Sequence, residues 1–229
     1  MLGRVALAIA VGGLLTVERK AFLQAALSRP LIAGTLIGLC LGNAPAGVVV
    51  GAPLELLFLG SANLGAVLSD HETLAACAVA AASATAASVH GGLSIAASSL
   101  ALLMLVPFAV VGRTLDRTEN AVHQRFADRA VQLLDQGRYR AALRMNWRSL
   151  WVPFGFGASI TGLGVGVGGA LGELAPHFPE RAQGAFATAF IFASAVCAAA
   201  AVRGARHPRG IALALASAAA TAGAVLLGR

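Results

Sequence analysis

Four stretches of this chain, residues 73–112, 150–172, 184–202 and 210–228, contain none of its seventeen basic or ten acidic side chains. Each reaches the ~18 apolar-dominated residues that a helix needs to cross the hydrocarbon core of a bilayer. A fifth stretch, 31–68, is interrupted by charge only once, at Glu55. In hydrocarbon every backbone amide must be paired internally, and the alternating patterns of barrel strands are missing, so the crossings are expected to be helices. The chain therefore reads as an all-α, polytopic integral membrane protein. A content of 58% hydrophobic residues with only 6% aromatic, and 27 glycines, fits helices that approach one another through small side chains.

A net charge of +7 would fit a nucleic-acid binder if the basic residues formed a patch within a soluble domain. They lie instead between the apolar runs. Residues 113–148 hold eight arginines against the four acids Asp116, Glu119, Asp128 and Asp135, and 203–209 hold three arginines and no acid. By the positive-inside rule both segments are expected on the cytoplasmic side of a bacterial inner membrane, with 173–181 outside. The bilayer is thus the expected partner, and nucleic acid is not.

Organisation follows from breaks in these runs. The opening segment, 5–15, is short for a crossing, and Gly12-Gly13 followed by Glu18, Arg19 and Lys20 points to a bent or interfacial helix. No small-x-small cleavage site precedes Glu18, so this segment is expected to stay in the mature protein. Pro30 suits a helix start, and Gly42-Asn43-Ala44-Pro45 a helix stop. Residues 31–41 and 46–60, the latter containing Pro53, are then both too short to span, which marks broken or re-entrant helices of the kind that line transport sites. A break at His90-Gly91-Gly92 divides the run 73–112. In the basic segment, Val122, Phe126, Ala130 and Leu133 recur at helical spacing, and Tyr139, Leu143 and Trp147 do so beyond Gly137. That pattern describes amphipathic interfacial helices, with a solvated cytoplasmic connector as the alternative. Three parts result: 1–112 with the broken helices, 113–149 as the basic interfacial segment, and 150–229 as a three-helix membrane part.

Glu55 stands out chemically, because an ionisable group inside an apolar span costs at least ~2.5 kcal/mol on insertion scales and normally faces a cavity or a partner. It can accept hydrogen bonds from sugar hydroxyls, carry a proton, or serve as a structural carboxylate at a broken-helix N-terminus. Asn63 and Asp70 bring an amide and a carboxylate close in sequence, the pair that a many-hydroxyl ligand needs. His71 and Glu72 read better as cap and loop residues before the helix at Thr73. His90 either lines a pathway or satisfies a neighbouring carbonyl. Ser88 and His90 form no hydrolase constellation. The five histidines are scattered, so no metal is expected, and no cofactor either. Cys40, Cys77 and Cys197 are dispersed singly and read as small buried hydrophobes. Gly164, Gly168 and Gly172 repeat at GxxxG spacing, a stripe for tight helix crossing rather than a phosphate loop.

Residues 28–75 also resemble a known family. Arg29-Pro30-Leu31-Ile32-Ala33-Gly34-Thr35-Leu36-Ile37-Gly38, Leu41-Gly42-Asn43, Gly47, Gly51, Leu54-Glu55-Leu56, Leu59-Gly60, Asn63 and Leu64-Gly65-Ala66 follow in order the pattern of the enzyme IIC component of mannose/fructose/sorbose-type phosphotransferase systems. The resemblance implies a permease subunit rather than an enzyme. It would work beside a second membrane subunit, IID, as a homo- or hetero-oligomer, and pass a hexose such as mannose inward for phosphorylation by a cytoplasmic IIAB protein. It also implies an elevator-like motion of a core carrying re-entrant segments. Glu55 and Asn63 fall on the family's matching residues. Ser69-Asp70 stands where the family has Pro-Asp, and Ser61 where a larger residue is usual. Two other readings remain from the residues: an ion-coupled secondary transporter with Glu55 as proton site, and a regulatory or assembly homologue that does not transport.

Overall fold

The computed structural model describes residues 2–59 and 70–205. Ser61, Asn63, residues 206–209 of the second arginine segment and the expected last crossing at 210–228 lie outside the described residues. Among the described residues there is no strand, and the chain runs through helices α1 (Leu2–Lys20), α2 (Pro30–Leu41), α3 (Ala44–Leu59), α4 (Glu72–His90), α5 (Ile95–Leu105), α6 (Phe108–Asp135), α7 (Tyr139–Ser149), α8 (Trp151–Leu174) and α9 (Glu180–Ala205). Four helical stretches within them are long and apolar enough to cross a membrane: Glu72–His90, Ile95–Asp135, Tyr139–His177 and Glu180–Val202. The chain is an integral membrane protein.

Helix α4 is the axis of the assembly. Fifteen of its nineteen residues are buried, most of them alanines, so its neighbours α2, α3, α5 and α8 approach it from every side. Against it, α8 sets its glycine stripe. A Cβ added at Gly168 would lie 2.7 Å from Ala82 Cα, and one at Gly172 would lie 2.7 Å from Val89 Cβ, while Gly166 and Gly169 on other faces have nothing within 4 Å. The GxxxG spacing thus marks the contact face, as small residues do where lipid offers Leu-rich contacts no advantage. A hydrogen bond between the hydroxyls of Ser83 and Ser98, 2.7 Å, ties α4 to α5.

α2 and α3 form a tight hairpin. Gly42 takes φ +84°, and the N–H groups of Gly42 and Asn43 bond back to the carbonyls of Leu39 and Gly38, closing a Schellman motif. Asn43 then accepts from the Ala46 N–H and opens α3, so two residues both end one helix and begin the next. The partners cross glycine on glycine: a Cβ on Gly34 would stand 2.8 Å from the Gly47 carbonyl oxygen, and one on Gly51 2.9 Å from that of Pro30. Pro53 interrupts no more than its own amide bond, and α3 runs through it. With 12 and 16 residues, the two helices are about 18 and 24 Å long, short of a ~30 Å core.

α1 continues well beyond the short apolar segment 5–15. It is one helix of 19 residues, packed on α8 and α2. Gly12 and Gly13 do not break it. They admit Thr161 and the Phe154 ring of α8 to its backbone, and that close packing repays the helix propensity that glycine forgoes. The amphipathic segment is also longer than its periodicity indicates, since α6 begins in the apolar run at Phe108 and continues to Asp135. Gly137, at φ +71°, turns the chain into α7. Cys77 and Cys197 are buried and Cys40 is partly so, all three as free thiols.

Candidate functional site

The C-terminal end of α1, the N-terminal ends of α2 and α4, the C-terminal end of α3 and the first half of α6 meet at one end of the bundle, and nearly all the charge within the helical core is there. Glu55, near the end of α3, does not stand alone. Arg29, which immediately precedes α2, donates to its Oε1 from Nε at 2.8 Å and from Nη2 at 2.5 Å, and the Leu31 N–H donates to its Oε2 at 3.2 Å. The same guanidinium reaches both oxygens of Glu72 at 3.4 Å. Two carboxylates thus share one cation at the open base of the hairpin, with the side chains of Glu55 and Glu72 each 21% exposed.

A second, deeper cluster lies beside it. Asp116 on α6 is 2% exposed and receives Lys20 at 2.7 Å and Arg19 at 3.2 Å, while Lys20 also reaches Glu119 at 3.3 Å. Asp116 and Glu119 are three residues apart and therefore share the helix face that meets α1. Asp70 is held by Arg113 at 2.7 Å, and its backbone carbonyl accepts from Arg19. Glu18 turns the other way: its carboxylate accepts from the N–H groups of Ala25 at 2.5 Å and Ser28 at 2.9 Å, fixing a turn in which Leu23, Gln24 and Ala26 take left-handed φ values.

His71 occupies the N-cap of α4. Its Nδ1 accepts from the Leu74 N–H at 3.3 Å, and its Nε2 faces Asp116 at 3.6 Å, the geometry of a neutral ring donating toward a carboxylate. Burial, reinforced by the positive Arg19, pulls the imidazole down from 6.5 to about 3. In the unfolded chain this ring binds its proton at the ordinary value while the folded chain leaves it neutral, so its contribution to stability is present above pH 6.5 and is lost as pH falls toward 3. Thermal unfolding in detergent between pH 7 and 4 is expected to show that loss, and His71→Asn, which keeps a cap acceptor, should flatten it. An unaltered pH profile in this variant would remove His71 as its source.

Of the residues singled out by sequence, Glu55 and Asp70 sit at this charged end, Asn63 lies outside the described residues, and His90 is at the C-terminal end of α4, exposed, at the opposite end of the bundle. Sequence reasoning missed Arg29 as a partner, because an ion pair 26 residues apart leaves no local signal. It also missed the Arg19–Lys20–Asp116–Glu119 cluster. The i, i+3 acids inside an otherwise basic segment were the available clue. Among the described residues no group of three His, Cys, Asp or Glu side chains is placed to hold a metal ion.

Solved structures share this architecture. One described as a membrane protein superposes with a TM-score of 0.69 at 20% identity, covering 98% of this chain and 94% of its own. The mannose transporter ManYZ, solved in complex with microcin E492, gives 0.62 at 21% identity over 96% and 87%. In sequence, the mannose-specific EIIC component of Escherichia coli K12 is 32% identical over 127 residues, which is 54% of this chain and 44% of that protein. The sorbose-specific EIIC component of Klebsiella pneumoniae is 37% identical over 115 residues, 49% and 39% of the two chains. The aligned part thus spans less than half the length of these curated relatives. A family model described as the PTS system sorbose-specific IIC component matches residues 3–189. That match runs from the first turn of α1 through the charged end, the glycine-crossed hairpin and α8 into α9, and by it the chain belongs to the sorbose-specific IIC family of the phosphotransferase system.

Proposed function

We propose that this chain is the sugar-translocating subunit of a phosphotransferase permease in a bacterial inner membrane, passing a hexose such as mannose inward beside a IID membrane subunit. Phosphoryl transfer then belongs to a separate cytoplasmic IIAB protein. The observation that carries the reading is the Arg29–Glu55 pair at the base of a hairpin whose helices are too short to span. A charged pair at membrane depth is expensive unless it serves a hydrated path, and a hairpin of two short helices leaves such a path open. The hairpin acts as a re-entrant element. Glu55, with Asn63 and Asp70 following it in the chain, supplies acceptors for sugar hydroxyls, and His90 lines the far end of the route. The basic segment 113–148 faces the cytoplasm, where IIAB docks.

Proteoliposomes carrying this chain and IID are expected to take up labelled mannose only when IIAB and a phosphoryl donor are inside, and Glu55→Gln should reduce uptake to background with the protein still folded. Accumulation of free, unphosphorylated sugar down an ion gradient would count decisively against this function. The sharing of Arg29 by Glu55 and Glu72 favours one second reading, a proton-coupled transporter. In that case Glu55→Gln abolishes proton-driven exchange while sugar binding persists.

A further inference from the structure

At the end of the bundle away from the charged cluster, Arg4, Val5, Leu41, Thr85 and Ser88 line a half-open cavity of about 200 Å³. None of these residues is acidic, and among the described residues no ion pair involves Arg4. Its guanidinium lies over Gly42, where a Cβ would come 2.5 Å from Nη1, so the left-handed glycine that closes α2 also leaves room for the cation. Thr85 forms the floor. It is 5% exposed, and its hydroxyl has no hydrogen-bond partner. Other helical hydroxyls, those of Thr16, Thr161 and Ser194 and of Ser88 in the same lining, donate back to the carbonyl four residues earlier. Thr85 does not, and a buried hydroxyl is rarely left without a partner.

We propose that this cavity binds a phosphate monoanion, supplied by the headgroup of an anionic phospholipid. The lining carries one cation and no carboxylate: the Arg4 guanidinium has five N–H groups and accepts nothing, the Thr85 hydroxyl has no partner, and the Ser88 hydroxyl gives its proton to the Ala84 carbonyl. An anionic phosphate matches a guanidinium fork directly. Position agrees with chemistry. The cavity lies at the first turn of α1 and one turn from the end of α4, the depth at which lipid phosphates sit at a bilayer surface. Val5 and Leu41 give the glycerol ester an apolar wall. A bound lipid would then brace the tip of the α2–α3 hairpin against α1.

Native mass spectrometry of the full purified chain, titrated with phosphatidylglycerol or phosphatidylcholine, tests this, with thermal unfolding in inorganic phosphate as a further arm. The wild type is expected to retain phosphatidylglycerol over phosphatidylcholine by at least about tenfold, the size of one charge-assisted contact. Arg4→Gln and Thr85→Val should each bring that preference close to parity, and Arg4→Lys should keep part of it. Stabilisation by inorganic phosphate equal to that by phosphatidylglycerol, and lost in Arg4→Gln, would support the anion site but assign it to a free ion. An unchanged lipid preference in both Arg4→Gln and Thr85→Val overturns the proposal. Arg4 is exposed, so its substitution should not disturb folding, and Thr85→Val carries the test independently.

Discussion

Asp116→Ala is expected to lower unfolding stability in detergent by about 3 kcal/mol, the lower part of the range for breaking a buried ion pair by removing one partner. The carboxylate is 2% exposed and takes both Lys20 and Arg19, so its loss removes the Arg19 ion pair and leaves Lys20 with Glu119 alone of its two acids. The reduction to the lower end has a specific cause. Arg19 is 15% and Lys20 28% exposed, and long basic side chains can carry their heads toward water. Combining Asp116→Ala with Lys20→Met should recover part of the loss, because the uncompensated charge is the expensive element. Melting of Asp116→Ala at the wild-type temperature would show that this cluster adds nothing to the fold.

The other large effect concerns two glycines that are neighbours in sequence. Gly168→Val should prevent α8 from seating on α4, since its Cβ would fall 2.7 Å from Ala82 Cα and even closer to the Ala82 carbonyl oxygen. Backbone cannot rotate away as a side-chain tip does, so the whole helix must shift, at a cost above the ~1–3 kcal/mol of ordinary overpacking. Gly169→Ala is the internal control. Nothing lies within 4 Å of that position, and replacing a helical glycine by alanine should stabilise by up to about 1 kcal/mol. Folded yield after solubilisation reads both. Equal tolerance at 168 and 169 would mean that α8 does not cross α4 through this stripe.

How much of this was legible in the sequence depends on the range of the physics involved. The crossings were readable because hydrocarbon acts on every residue of a window at once, and the glycine stripe because helical geometry turns a four-residue spacing into a face. The breaks at Gly42-Asn43 and Gly91 were readable from local turn chemistry, and both glycines take left-handed φ. What could not be read were pairings across long separations. Glu55 appeared as a lone acid in an apolar run, whereas Arg29 sits on it from 26 residues away. Asp116 and Glu119 appeared only as two of four acids in a basic segment. They are buried because α1 continues as a full helix and delivers Arg19 and Lys20 to them, which the Gly12-Gly13 pair concealed. Asp70 looked available to a ligand and is engaged by Arg113.

The alanine surface of α4 determines how the helices around it can move. Interlocking of helices depends on tall side-chain ridges seated in matching grooves, and methyl groups raise hardly any ridge. The position of α4 along its own axis is therefore set by a few pins: Glu72 on Arg29 and His71 against Asp116 at one end, and the Ser83–Ser98 contact in its middle. Release those pins and the surrounding shell meets a nearly smooth rod, along which sliding by a fraction of a turn encounters little steric resistance.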